Sequence, residues 1–428
     1  MSDFLVLPPA SSIHGAIHVP PSKSVTNRAL LAAALAAEPV EIIRPLESGD
    51  TAALRACLSA MGASIVPSAD GLRVSGPLRA EGGREVRLDV GDSGTAARFL
   101  IAAAAATPGR FFLTGSERLR ERPVGELVEA LRGGGARIAY AKNEGRLPVL
   151  VEGASLRSGS LTVDASRSSQ FISALLLAGI AVEGGLSVRP SGEVASAPYV
   201  RTTIETLRNL GHEVVEGEFL RVSRGRRLAD RFETPADYSA AVPLLAAAGA
   251  AGGEVTLVGL RWPSTDADAA ALPVLEKMGV RIAASAKAIT SSARLGGLSA
   301  VSVCARDFPD AVPALAALAA LAPGESRFSG IGHLRLKESD RISALVSLLN
   351  DAGARAVEDD GGLTVLGPLA PRLGIVRLRT FRDHRIAMAA ALLALRLPGL
   401  LIENPDCVAK SYPGFFRDLE TIVARRRT

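Results

Sequence analysis

Two short runs decide the fold: PSKSVTNRALLAAALA (21–36) and ALRACLSAMGASIV (53–66). The first is a polar turn opening into small apolar residues, the pattern of a helix buried on all sides. The second is a helix charged on one face. It ends at Gly62, the favoured left-handed cap, and passes into Ile and Val, which favour a strand. Both runs recur. The first returns as GDSGTAARFLIAAAA (91–105), SRSSQFISALLLAG (166–179), DYSAAVPLLAAAGA (237–250), FPDAVPALAALAAL (308–321) and FRDHRIAMAAALLA (381–394). Anchored on Ser24, Ser93, Ser169, Ser239, Asp310 and His384, the copies lie 69, 76, 70, 71 and 74 residues apart. The second returns with its glycine at Gly135, Gly211, Gly279 and Gly353, at successive spacings, beginning from Gly62, of 73, 76, 68 and 74. The chain therefore holds six copies of a unit near 70 residues, each with two helices and several strands.

Six units in 428 residues divide into two similar domains of three. The expected class is α/β (α+β), with three buried parallel helices inside each domain and sheets outside. An open solenoid fits less well, because solenoid repeats are shorter and need no buried helix. The boundary is expected in the charged stretch 221–239, giving one domain of residues 21–236 and another of residues 1–20 with 237–428. One strand, roughly residues 3–20, is expected to precede the first unit and pair with the last.

Composition sets outer limits. Hydrophobic residues at 48% and charged residues at 22% exclude disorder, and 42 glycines without a period of three exclude collagen. The charge, 49 − 44 = +5, is mild. With four Tyr and one Trp, it suits small anions converging on one pocket better than nucleic acid. Cys57, Cys304 and Cys407 are far apart with no CxxC, so no disulfide framework or zinc site is expected. The start MSDFLVLPPASSIHG lacks the basic and apolar regions of a signal peptide. The longest apolar run, from Ile386, is broken by Arg396 and Pro398. A soluble, cytoplasmic protein is expected.

The polar turns are where chemistry is expected, because a helix start offers free N–H groups and a positive dipole end to anions. Lys23, Ser24 and Arg28 open the first buried helix, with Arg28 one turn beyond Ser24. Gly91 and Gly94 let a ligand approach the backbone of the second, which carries Arg98. Ser168, Ser169 and Gln170 are three uncharged donors before the third. Arg122, Ser196 and Tyr199 lie in connecting stretches. The C-terminal half brings Asp310, the run Arg335, Lys337, Glu338, Asp340 and Arg341, then Asp383, His384, Arg385 and Lys410. A carboxylate among cations can act as acid or base when bound anions tune it. No GxxxxGK[ST], GxGxxG after a strand, GxSxG or HExxH is present, so the site is expected to use no cofactor and no metal.

Taken together and in order, PSKSVTNRALLAAALA, SGDT, GDSGTAARFL, ERPVGELVEALRGGGA, SSQFISALLL, FPDA, LKESDR, DHRIAM and AKSYPGFF resemble the 5-enolpyruvylshikimate-3-phosphate (EPSP) synthase family, from about residue 10 to residue 420. The resemblance implies two domains of three βαβαββ-type units, the inverse α/β barrel of enolpyruvyl transferases. It implies transfer of the enolpyruvyl group of phosphoenolpyruvate to the 5-hydroxyl of shikimate 3-phosphate, with release of phosphate. On that basis Lys23, Ser24, Arg28, Ser168, Ser169, Gln170, Ser196, Asp310 and Lys337 should hold shikimate 3-phosphate, with Tyr199 nearby. Lys23, Gly94, Arg122, Gln170, Arg341, Arg385 and Lys410 should hold phosphoenolpyruvate. Asp310, assisted by Lys23, would be the base and Glu338 the proton donor, in a site completed by domain closure. The implied enzyme works as a monomer on two small molecules, with no nucleic acid or membrane partner.

The chain departs from the family pattern at Asp92, where Asn is usual, at Phe99, where Pro is frequent, and at His333, where Asn often contacts shikimate 3-phosphate. Gly94 and Thr95 are retained, which implies inhibition by glyphosate. The nearest alternative is UDP-N-acetylglucosamine enolpyruvyl transferase. That family lacks SKSxxNR and generally uses a loop Cys or Asp, and no Cys lies between Cys57 and Cys304. A basic nucleic-acid binder is the alternative of a different class, and it would have no need of Asp310 or Glu338.

Overall fold

The apolar helices of the repeat are buried along almost their whole length. Every residue of Tyr238–Ala251 and His384–Ala394 is buried, as are Val25 to Leu35 within Lys23–Leu35. Gly94–Ala106, Gln170–Gly179 and Val312–Leu321 are buried at nearly every position. Alanine makes this possible, since axis separation between packed helices depends on the side chains at the contact. The second helix of each unit is one-sided: Gly49–Ala60 buries Leu54, Cys57 and Leu58 while Ala52, Ala56, Ser59 and Ala60 are exposed. The computed structural model describes residues 3–36, 38–80, 84–224, 229–359, 361–370 and 373–424. Within the crossover stretch 221–239, residues 225–228 lie outside that set.

The chain forms two compact units, Pro21–Pro235 and Met1–Pro20 with Ala236–Thr428. In the first, three four-stranded sheets share one plan. Glu85–Asp89 runs parallel to Arg110–Thr114, with the buried helix Gly94–Ala106 between them in sequence; Val149–Glu152 and Arg137–Tyr140 then pair antiparallel. Gly159–Asp164, Leu186–Ser191, Leu220–Ser223 and Glu213–Val215 repeat it. So do Arg231–Glu233, Val40–Ile43, Gly71–Ser75 and Ser64–Pro67, in which the parallel strand comes from the unit's far end and sets Phe232 opposite Ile42. Alternate residues such as Val40, Ile42, Leu72 and Val74 are buried, so each sheet has one core face.

The second unit follows the same plan with borrowed strands. Ser12–His18 runs parallel to Gly253–Val258, followed antiparallel by Ala288–Ala293 and Arg281–Ala284, with Val423–Ala424 on the other edge of Ser12–His18. Ser302–Cys304, Gly324–Ser329, Leu363–Gly367 and Arg355–Glu358 form the next sheet. Val376–Leu378 and Leu400–Glu403 are completed by Phe4–Val6. The single N-terminal strand expected from sequence is thus two. Phe4–Val6 does pair with the last unit, but Ser12–His18 joins the fourth. Pro8 and Pro9 between them have no N–H for a ladder and separate the two.

All five cap glycines, Gly62, Gly135, Gly211, Gly279 and Gly353, have φ between +91° and +103°. A Cβ at Gly279 would stand 2.3 Å from the Gly297 carbonyl oxygen. Gly279→Ala should therefore destabilise the chain by about 1–3 kcal/mol, read as a lower denaturant midpoint at unchanged slope; an unshifted midpoint would contradict the tight cap. Among the described residues, no helix is long and apolar enough to cross a membrane.

Candidate functional site

In the Pro21–Pro235 unit the expected residues gather where the buried helices begin. Ser22, not Ser24, caps Lys23–Leu35, its side chain accepting from the Val25 N–H. Lys23 points its ammonium at Asp50, Nζ to Oδ2 3.0 Å, with both side chains largely buried. Arg28 is buried too. Its Nε donates to Thr203 Oγ1 at 2.7 Å, Nη1 to the Ser24 carbonyl at 2.8 Å and Nη2 to the Tyr199 carbonyl at 3.2 Å, while its face lies 5.3 Å over the Phe99 ring. Phe99 is fully buried, so the departure at this position supplies a stacking partner for Arg28.

The second and third helix starts are tied together. Arg98 Nη1 donates to Gln170 Oε1 at 2.7 Å and Nη2 to the Pro123 carbonyl at 3.0 Å, over the Phe171 ring. Gln170 Nε2 donates to Thr95 Oγ1 at 3.1 Å. Ser168 Oγ accepts from the Gln170 N–H at 3.2 Å, and Ser169 is buried. The Arg122 guanidinium lies flat against Gly94: a Cβ there would be 2.5 Å from Nη1 and 2.6 Å from Cζ. Ser196 is buried with φ +55°, a backbone state that is costly for a residue with a Cβ. Asp92 accepts from the Ser116 hydroxyl, which caps the short helix Glu117–Glu121 leading to Arg122.

In the other unit, Arg341 is the hub. It is 1% exposed, and its guanidinium donates to three carboxylates: Nε to Asp383 Oδ2 at 2.8 Å, Nη1 to Asp310 Oδ1 at 2.7 Å and Nη2 to Glu338 Oε2 at 2.8 Å. Arg385 reaches the other Asp310 oxygen at 3.4 Å and donates to the Ser239 carbonyl and hydroxyl. Lys410 Nζ lies 3.7 Å from Glu338 Oε1. Asp383 caps His384–Ala394 and also accepts from Ser339 Oγ at 3.0 Å.

The electrostatics follow from this geometry. Burial works to raise the Asp310 carboxyl, but Arg341, Arg385 and Lys337 outweigh it and hold it far below the usual carboxylate range. Burial opposes the charge on Arg341, yet Asp383, Glu338 and Asp310 more than compensate and strengthen it. Burial and the nearby Lys337 push His333 down to about 3, so the imidazole is neutral at pH 7. The group is therefore the ionised Asp310 and the Glu338 carboxyl on one cation that Asp383 also holds, with further cations beside them.

The run Arg335 to Arg341 divides. Arg335 faces outward, pairing with Asp340 at 3.1 Å and Glu358 at 2.6 Å, and Asp340 caps Arg341–Asp351. Glu338 and Arg341, three apart, face each other inside. Asp310 lies two residues before Val312–Leu321 and is not its cap, so its carboxylate is free for the two guanidinium groups. The sequence assigned no site role to Asp50, Thr203 or Ser239. SGDT was a signal for Asp50, which sits in the first turn of Gly49–Ala60.

A family model described as EPSP synthase (3-phosphoshikimate 1-carboxyvinyltransferase) matches residues 7–419. A 3-phosphoshikimate 1-carboxyvinyltransferase of Sulfurovum sp. (strain NBC37-1) is 36% identical over 427 residues, covering 98% of this chain and 99% of its own. That of Methanoculleus marisnigri is 37% identical over 413 residues, covering 95% and 96%. The solved structure of an EPSP synthase from Acinetobacter baumannii has a TM-score of 0.78 to this chain, covering 98% of each at 26% identity.

Proposed function

The chain belongs to the EPSP synthase (3-phosphoshikimate 1-carboxyvinyltransferase) family, and we propose that its two clusters divide that reaction between them. The reaction transfers the enolpyruvyl group of phosphoenolpyruvate to the 5-hydroxyl of shikimate 3-phosphate, giving the enol ether and phosphate. Lys23, Ser24, Arg28, Ser168, Ser169, Gln170 and Ser196, with Tyr199 beside them, hold shikimate 3-phosphate; Asp310 and Lys337 complete its site. Arg122 against Gly94, together with Lys23, Gln170, Arg341, Arg385 and Lys410, holds phosphoenolpyruvate. Planar guanidinium forks suit carboxylate and phosphate. The enzyme acts as a cytosolic monomer on these two anions.

The observation that carries this reading is Arg341 holding Asp310 and Glu338 at 2.7 and 2.8 Å. The 5-hydroxyl oxygen bonds to C2 of phosphoenolpyruvate as its proton passes to Asp310, and C3 takes a proton from Glu338 to become a methyl group. The tetrahedral adduct then loses phosphate: the C2–O bond to phosphorus breaks, the methyl returns a proton to Glu338, and the departing phosphate takes up the proton held by Asp310. Cations that leave Asp310 for the anions of phosphoenolpyruvate raise its basicity when it is needed. The test is phosphate release with both substrates. Release should require both; release without shikimate 3-phosphate, or none with both, would refute the assignment.

Two further outcomes are expected. Gly94→Ala forces the Arg122 guanidinium away and should raise KM for phosphoenolpyruvate about tenfold, the loss of one charge-assisted hydrogen bond, with KM for shikimate 3-phosphate held within about twofold; equal KM values in mutant and wild type would remove Arg122 from that substrate. Glyphosate should inhibit in competition with phosphoenolpyruvate, and an inhibition constant in the millimolar range would contradict that.

A further inference from the structure

Of the six buried helices, only Tyr238–Ala251 carries a proline past its first turn, Pro243. A helical residue donates its N–H to the carbonyl four residues earlier, and proline has no N–H. The carbonyl that Pro243 leaves without its helical partner is that of Ser239. That same carbonyl accepts from Arg385 Nη1, and the Ser239 hydroxyl accepts from Arg385 Nη2. The hydroxyl is fixed in turn, donating to Asp237 Oδ1 at 2.6 Å. Hydrogen bonds elsewhere on the Arg385 guanidinium are few among the described residues. Its Nε is buried with no hydrogen-bond partner among the described residues, and Asp310 lies 3.4 Å from its Nη2. Asp237 and Asp268 add electrostatic attraction to the guanidinium.

We propose that Pro243 is a positioning residue for the phosphoenolpyruvate site: by withholding an N–H it keeps the Ser239 carbonyl open, and that carbonyl holds Arg385 in place. The helix gives up one internal bond, and the bond is remade to a side chain from another buried helix. This inference rests on the assignment of Arg385 to phosphoenolpyruvate. A residue with an N–H at 243 would let the helix reclaim the carbonyl and take one hydrogen bond from Arg385.

The test is steady-state kinetics of Pro243→Ala and, closer in side-chain volume, Pro243→Val. Each should raise KM for phosphoenolpyruvate about five- to tenfold, the loss of one hydrogen bond to a charged group. Turnover at saturation and KM for shikimate 3-phosphate should stay within about twofold, and the thermal midpoint should not fall for Pro243→Ala, since Ala is the better helix former. Val242→Ala, which removes neighbouring buried volume without touching the ladder, should leave KM for phosphoenolpyruvate unchanged. Arg385→Lys separates the two levels of the argument. If it raises KM for phosphoenolpyruvate and Pro243→Ala and Pro243→Val do not, the proposal is wrong and the site assignment stands. If Arg385→Lys changes nothing, the assignment falls and the proposal with it. Full additivity of Pro243→Ala with Arg385→Lys would also overturn the proposal, because a residue acting through Arg385 cannot add to its removal.

Discussion

Asp310→Asn should lower kcat by about 10²–10⁴-fold while shikimate 3-phosphate still binds. Asn keeps the volume of Asp310 and one oxygen towards the Arg341 and Arg385 guanidinium groups, 2.7 and 3.4 Å away, so the change removes a proton acceptor rather than a scaffold. The direction of its perturbation leaves Asp310 in the state the proposed role needs. Held far below the usual carboxylate range by those cations, Asp310 is ionised at neutral pH and can take the hydroxyl proton but not supply one at the start. The same direction fixes the pH behaviour. Its ionised form is the one the fold favours, so its contribution to stability is complete above the ordinary Asp value and is lost only as pH falls well below it. Phosphate-release kinetics with a parallel binding measurement check the prediction, and wild-type turnover in the variant would remove Asp310 from the chemistry.

Glu338→Gln should lower kcat by a similar factor, about 10²–10⁴-fold, for the complementary reason. Gln can still accept from Arg341 Nη2, which Glu338 meets at 2.8 Å, and can still lie near Lys410, but it has no proton to give to carbon. Binding of both substrates should persist. Turnover within about twofold of wild type would assign the proton to another group. The two variants should not combine multiplicatively, because both carboxylates hang on the single Arg341 guanidinium and act as one unit.

Much of the architecture was legible because its signals are local. A small-residue apolar run such as that of Tyr238–Ala251 reads as buried wherever it occurs, and a glycine such as Gly279 after a one-sided helix reads as its cap. Strand exchange was not legible. Ser12–His18 pairs with Gly253–Val258, and the pairing energy comes from residues about 240 positions away, which no window contains. The expected N-terminal strand does reach the last unit through Phe4–Val6, but its separate second half, Ser12–His18, was not legible as a strand of the fourth.

The site divides in the same way. Helix starts pointed to Lys23, Gln170, Asp310 and Arg385, but not to what compensates them. Read from sequence, the cations form an anion trap. In the structure Lys23 is matched by Asp50, Arg341 by Asp310, Glu338 and Asp383, and Lys410 by Glu338. Arg341 meets partners 31 and 42 residues away in sequence, so that compensation is a product of folding. Under the proposed function, anionic substrates would meet cations already matched by carboxylates rather than an unpaired positive pocket. Burying such cations without partners would cost several kcal/mol each.

The most direct test of the central claim, addition and elimination with Glu338 delivering a proton to carbon, is the reaction run in D2O with the product's methylene group read by NMR. Protonation at C3 creates a methyl group whose hydrogens become equivalent, so the enol ether formed by the wild-type chain should carry deuterium at that carbon. A product free of deuterium there would contradict the account, because phosphate would then have been displaced at C2 without the methylene carbon ever being protonated.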